Sequence, residues 1–252
     1  MKSKIFAITF LAANLMFSAC DNNQKNNGKS VESANPEYKV TATQSEESAA
    51  EEKTPDSSDD PTGIISIRKT WAGQTIKVDA GKSTVGIEQF AKAFCKTYPQ
   101  CETNKAMLDY LNSPKDYKSD LFEIDSKPRN GYIRCMMEVQ TAPLTDVCYW
   151  NRKNGHKLFA AYMESTHESM AWDEHQVVFY DYDPATNIMT PEPALTEMIE
   201  KRVKKFDSYS VALPDEGKDI EVNAYTFDEE NDSAEGEELK LKWNGMTFDW
   251  GK

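Results

Sequence analysis

The chain has only three histidines, and two of them, His167 and His175, stand at the ends of a carboxylate-rich stretch. His167, Glu168, Asp173, Glu174 and His175 supply imidazole and carboxylate donors, which suit a divalent metal if they converge. Their spacing is not that of the helical zinc motif, because His167-Glu168-Ser169-Met170-Ala171 ends in Ala where a second His is needed. The plainer reading of the same residues is a solvated loop beside Met170 and Trp172. A second group is Tyr149-Trp150-Asn151-Arg152-Lys153-Asn154-Gly155-His156-Lys157. Here Trp150 would be a stacking platform, with Arg152, Lys153 and Lys157 meeting an anionic ligand. Against that stands a core Trp150 or Tyr149 with its cations in water.

Other chemistries are poorly represented. No Gly-x-Ser-x-Gly elbow is present. Carboxylates are abundant, and a glycosidase-like pair is recognised by separation and burial rather than by number. Gly81-Lys82-Ser83-Thr84 resembles the end of a phosphate-binding loop, but Ile76 occupies the place of its first glycine. A polar turn is expected instead, with Ser83 or Thr84 near a helix cap. The acidic run from Asp228 to Glu238 lacks the spacing of a calcium loop and is read as a solvated loop. No cofactor is expected.

The N-terminus carries a different signal. Lys2 and Lys4 precede an apolar run from Ile5 to Phe17, and the small residues Ser18 and Ala19 precede Cys20. This order is that of a secretory signal peptide, the run being shorter than the ~20 residues a spanning helix needs. Phe17-Ser18-Ala19-Cys20 resembles the bacterial lipobox, with Phe17 where Leu is usual. The resemblance implies lipidation of Cys20 and cleavage before it. Several acyl chains together hold a protein stably at a bilayer. The implied location is the cell envelope: outer membrane, periplasmic face or cell surface.

Setting Cys20 aside leaves Cys95, Cys101, Cys135 and Cys148. An even number in an oxidising compartment favours disulfides, and the shortest loops join Cys95 to Cys101 and Cys135 to Cys148. Other pairings stay open. No Cys-x-x-Cys occurs, and the spacings are not those of zinc fingers.

Asp21 to about Asp60 is polar and acidic with hardly an aromatic, so it cannot bury enough apolar surface to offset chain entropy. The expected organisation is a signal peptide over 1–19, a disordered tether over 20–61 and one domain over 62–252. The formal net charge of -13 argues against nucleic acid or anionic lipid as the main partner.

The elements that would position these groups follow from periodicity. Ile64 to Ile67 and Thr75 to Val78 read as short strands around Ala72-Gly73. Ile87, Phe90, Ala91 and Phe94 mark a helix from Ile87 to Tyr98, ended by Pro99. A second helix is expected over Lys105 to Leu111, capped by Thr103. Ile133, Cys135, Met137 and Val139 alternate as a strand. Val147 to Arg152 and Lys157 to Met163 flank Asn154-Gly155, a strong hairpin signal. A two-residue turn there would put Trp150 opposite Phe159 and Cys148 opposite Ala161. Gln176 to Tyr182 and Ile188 to Thr190 are further strands, and Pro193 opens a helix with Leu195, Met198, Ile199, Arg202 and Phe206 on one face. Tyr209 to Leu213 and Asp219 to Phe227 alternate around Pro214 to Gly217. Around Asn244-Gly245, a two-residue loop would pair Leu241 with Phe248 and Leu239 with Trp250. The class is α+β, short helices first and antiparallel meanders after.

The lipobox, the polar tether, Cys148-Tyr149-Trp150-Asn151-Arg152-Lys153-Asn154-Gly155-His156-Lys157-Leu158 and Tyr180-Asp181-Tyr182-Asp183-Pro184 are together similar to uncharacterised lipoproteins of Bacteroides-type Gram-negative bacteria. The similarity covers about the middle third of the chain and implies an envelope or surface location, with no activity to carry over. The functional expectation is a non-catalytic, lipid-anchored module that binds a protein, glycan or small ligand. The alternatives are a secreted hydrolase using dispersed carboxylates or a metal near His167 and His175, and an inhibitor of an extracellular enzyme.

Overall fold

Ile64, Ile67 and Trp71 recur at helical spacing, and all are buried. Ile64–Thr70 is accordingly a helix (α1) followed by a tight turn at Trp71–Gly73, not the expected strand. The β-branched run misled, because its apolar period is helical. The computed structural model describes residues 62–81, 84–138, 143–166, 173–228 and 233–251. The chain clusters into Met1–Glu52 and Lys53–Lys252, and every described residue belongs to the second unit. The expected signal peptide and tether, with Cys20, lie outside the described residues.

The order continues with β1 (Ile76–Lys77), α2 (Ile87–Thr97), α3 (Glu102–Asn112), β2 (Phe122–Lys127), β3 (Tyr132–Met137), β4 (Leu144–Asn151) and β5 (Lys157–Thr166). Then come β6 (Asp173–Asp183), β7 (Ile188–Pro191), α4 (Pro193–Val203), β8 (Ser208–Ala212), β9 (Ile220–Asp228), β10 (Ser233–Trp243) and β11 (Phe248–Trp250). The class is α+β, with antiparallel strands in two sheets. The larger has the order β1-β7-β6-β5-β4-β3-β2, and the smaller β11-β10-β9-β8.

Alternation along the large sheet separates two cores. Ile133, Cys135, Val147, Phe159, Val178 and Tyr180 face α1, α2 and α3. Tyr132, Cys148, Trp150, Leu158, Val177 and Phe179 face α4 and the small sheet. Phe90 and Phe94 of α2 are fully buried against Phe159, each worth about 2–3 kcal/mol of apolar burial. No helix among the described residues is long and apolar enough to cross a membrane.

Several boundaries differ from expectation. α3 starts at Glu102, so Thr103 lies inside it and its hydroxyl reaches Thr145 Oγ1 at 2.7 Å rather than capping the helix. The cap of α2 is Gly86, whose N–H donates to Gln89 Oε1 at 2.9 Å, not Ser83 or Thr84. The acidic stretch expected as a loop is largely strand: Glu235 to Glu238 belong to β10 and pair with β9. Glu237 accepts from Lys205 at 3.0 Å and lies 3.7 Å from Arg202 across the surface.

Both recognised hairpins form, with longer loops. Arg152 N–H donates to His156 O, leaving Lys153-Asn154-Gly155 as a three-residue loop with Gly155 at φ 88. Trp150 therefore pairs with Leu158 and Cys148 with Ala160, not with Phe159 and Ala161. That one-residue difference puts Trp150 and Phe159 on opposite faces. At Asn244 the loop has four residues, and Leu241 pairs with Trp250 and Trp243 with Phe248.

Candidate functional site

The expected ligand platform is dispersed by the fold. Trp150 is buried under the small sheet, its indole N–H donating to Lys218 O at 2.9 Å. Only its edge lines a cleft of about 170 Å³, with Arg129, Lys218 and Trp243. Lys157 lies 4.5 Å above the Tyr149 ring, and burial holds its ammonium below the ordinary value. Lys153 donates to Asn244 O at 3.0 Å and so clasps the last hairpin.

Arg152 is a cross-link rather than a ligand contact. Its guanidinium bonds Asp181 of β6 and, at 2.6 Å, Glu192 at the start of α4. Asp181 also holds His156 Nδ1 at 2.7 Å. Arg152 thus ties β4, β6 and α4 together. Its Nε is buried with no partner among the described residues, and the surrounding carboxylates face the guanidinium itself.

The expected metal site is only partly described. His167 and Glu168 lie outside the described residues, as does the side chain of Asp173. The rest is strand rather than loop, since Glu174 pairs with Ser165 and His175 with Glu164. His175 packs edge-on against Tyr209 at 4.2 Å, and Glu174 accepts from the Thr62 hydroxyl. No group of three or more metal-binding side chains converges among the described residues.

The four thiols of Cys95, Cys101, Cys135 and Cys148 are buried, and no disulfide joins them. The expected Cys135–Cys148 pair is incompatible with the β3–β4 register. Tyr132 is the partner of Cys148 and Thr145 that of Cys135, so the two thiols are offset along the strands and face opposite cores. Cys95 and Cys135 share the helical face. Burial pushes the Cys135 and Cys148 thiols up to about 12, so neither is a nucleophile at neutral pH.

A site that periodicity did not single out lies at the far edge of the large sheet. β2 is the edge strand there, paired only with β3. Phe122 and Ile124 point toward α3 and pack against the helical core. Between them and α3 runs the segment from Pro114 to Leu121, and a cleft opens on each side of it. One, of about 430 Å³, is walled by Tyr110, Pro114, Tyr117, Phe122 and Ile124. The other, of about 400 Å³, is walled by Ala106, Tyr117, Leu121, Phe122 and Met137, with Glu102, Lys105 and Asp109 at its rim. Leu121 is 55% exposed, more than any other large apolar side chain described.

Tyr117 divides the two clefts. Its ring meets Tyr110 edge to face at 5.6 Å. Its hydroxyl oxygen is buried and finds no hydrogen-bond partner of ordinary geometry among the described residues. Ser119 stands beside it, but its oxygen already accepts from the amides of Leu121 and Phe122 at 3.1 and 2.9 Å. Burial raises the phenol above its ordinary value, and the Ser119 hydroxyl beside it acts the other way.

No family model, curated protein or solved structure matches this chain.

The other openings of the molecule are of a different kind. A cleft of about 340 Å³ beside α2 is lined by Lys77, Lys92 and Lys96 but also by Asp79 and Glu88, so its charges nearly cancel on an exposed surface. The cleft beneath Thr62 and Ile64 is small, about 80 Å³. The β2–α3 groove alone among these combines volume, exposed apolar surface and a buried donor without an acceptor, the mixture that binding sites use.

Proposed function

We propose that this protein is an exported lipoprotein, anchored through Cys20, whose domain is a binding module with its docking face in the groove between α3 and β2. The observation that carries the reading is the Tyr117 phenol, a buried donor left without an acceptor, flanked by the exposed Leu121. An unsatisfied buried polar group costs about 1–3 kcal/mol, and a ligand carbonyl placed there would remove that cost. The groove presents no nucleophile–base pair, which is why binding is favoured over the hydrolase reading. Its walls set Tyr110, Tyr117, Phe122 and Ile124 beside Lys118, Ser119 and Asp120, a mixture of apolar and polar groups like that of surfaces that take a protein segment.

A photocrosslinking residue in place of Leu121 tests this in the producing cell, with one in place of the exposed Lys201 of α4 as the control. Crosslinks to a defined protein from position 121 and none from 201 are expected. Equal labelling from both positions, or none from 121, rejects the groove. The anchor has its own test: Cys20→Ser shifts the protein from the membrane fraction to the soluble one, and unchanged fractionation rejects lipidation.

A further inference from the structure

The edge of β2 has a direction to its hydrogen bonding. Glu138 N–H donates to Leu121 O, whereas Met137 N–H donates to Pro143 O on the other side. In the antiparallel register Leu121, Glu123, Asp125 and Lys127 therefore spend their backbone groups on β3, and Phe122, Ile124 and Ser126 point theirs outward. The Phe122 amide is taken by Ser119 Oγ at 2.9 Å. The amides and carbonyls of Ile124 and Ser126 have no partner among the described residues. The side chains of these outward residues lie on the helical side, along the cleft walled by Tyr110 and Tyr117.

Resting on the groove reading, we infer that the ligand is an extended segment of a partner protein that adds to the large sheet as a strand beside β2. Main-chain bonds to Ile124 and Ser126 would hold it, and alternate side chains would select it. Side chains facing the helices enter the cleft of about 430 Å³ and meet the rings of Tyr110 and Tyr117 and the Ile124 side chain, with Lys118, Ser119 and Asp120 also lining it, so apolar side chains with room for a polar tip fit there. Those on the other face lie beside Glu123 and Asp125, so they are basic. Glu123 is exposed and makes no ion pair among the described residues, while Asp125 has Lys127 at 3.4 Å and Arg134 as its cross-strand neighbour. A second copy of this chain is the poorer occupant. Antiparallel self-pairing centred on Ile124 would oppose Glu123 to Asp125, and centring on Asp125 would oppose that residue to itself.

The probe is a synthetic heptapeptide alternating valine with lysine and arginine. Its controls are a glutamate-for-cation version and a same-composition version with the cations grouped at one end. The alternating basic peptide binds saturably and at least tenfold tighter than either control, and it slows hydrogen exchange at the Ile124 and Ser126 amides. Ser126→Pro, which removes one outward N–H from an edge where proline is tolerated, weakens binding tenfold or more. Should that variant fold poorly, the exchange measurement on the unaltered protein decides alone. Saturable binding without slowed exchange at those amides overturns strand addition while leaving a groove-binding module in place. Equal binding of the grouped peptide, no binding at all, or an unliganded dimer whose β2 amides are already protected each overturns it as well. Failure of the Leu121 crosslink would instead strike the groove reading beneath it.

Discussion

Replacing Asn104 by Leu should cost this fold about 2–6 kcal/mol, although the two side chains have the same number of heavy atoms. Asn104 is fully buried at the start of α3 and makes two side-chain bonds. Its Nδ2 donates to Tyr98 O at 2.8 Å, and its Oδ1 accepts from Thr145 Oγ1 at 3.1 Å. Since Thr145 gives its only hydroxyl proton to Asn104, Thr103 must be the donor in the 2.7 Å contact between the two threonines. Leucine would strand two buried groups, the Tyr98 carbonyl and the Thr145 hydroxyl, at about 1–3 kcal/mol each. For a domain of this size that is a fall in Tm of roughly 4–24 °C, at about 2–4 °C per kcal/mol. Urea unfolding followed by tryptophan fluorescence measures it, with Thr145→Val as the second leg of a double-mutant cycle. Thr145→Val strands the Thr103 proton and the Asn104 oxygen. Because the two residues share a bond, the double mutant should recover about 0.5–3 kcal/mol relative to the sum. A loss below about 1 kcal/mol for Asn104→Leu, or strict additivity, would refute the claim that this chain of hydrogen bonds fixes α3 to β4.

Three further outcomes are expected. The Asp215 carboxyl is held below its ordinary value by Lys127, and that of Asp219 by Lys242. A lowered folded value means stability fully present above the unfolded pKa of about 4 and lost as pH falls through the folded one. Burial moves Asp146 and Glu200 the opposite way, so the Asp215→Asn, Asp219→Asn double variant should flatten the acid limb of a urea-midpoint profile, and an unchanged limb counts against these pairs. Gly131 sits at φ 74, and a Cβ there would meet the Tyr149 ring at 2.8 Å. Gly131→Ala should cost at least about 1–2 kcal/mol for the left-handed backbone alone, and a neutral result in thermal unfolding would contradict the turn. In a Cys20→Ser background, thiol reagent at pH 8 should label none of the four cysteines in the native state and all four after denaturation without reductant. Labelling that requires reductant would show an oxidised pair instead.

Much of the scaffold was legible because its signals were local. α2 announces itself through Ile87, Phe90, Ala91 and Phe94, and the strands from Tyr132 onward through alternation. Loop length was not legible. Asn-Gly marks a turn in both hairpins, yet whether it closes over two, three or four residues depends on strand twist and on what the tip touches, here Lys153 against Gly245. For Trp150 the structure takes the plainer of the two readings, a core side chain, which a strand's alternation cannot select because it does not reveal that a second sheet covers the outer face. β2 went unread although Phe122 and Ile124 alternate with Glu123 and Asp125 and Asn130-Gly131 follows. Its charged residues hid it, and charge is what a sheet edge carries to discourage indiscriminate pairing. The candidate site therefore lay where sequence patterning is weakest.

The clasp made by Lys153 has a consequence for the last strand of the small sheet. β11 is three residues long and lies at the sheet's edge, and so short an edge strand would ordinarily be among the first parts of a domain to come loose. Here the tip of one hairpin hooks the tip of another, with Lys153 N–H on Gly245 O and Phe248 sealed beneath Trp150. The edge hairpin is thereby bolted to the middle of the large sheet. Opening it requires lifting the small sheet off the tryptophan it covers, so β11 should melt with the whole domain instead of ahead of it.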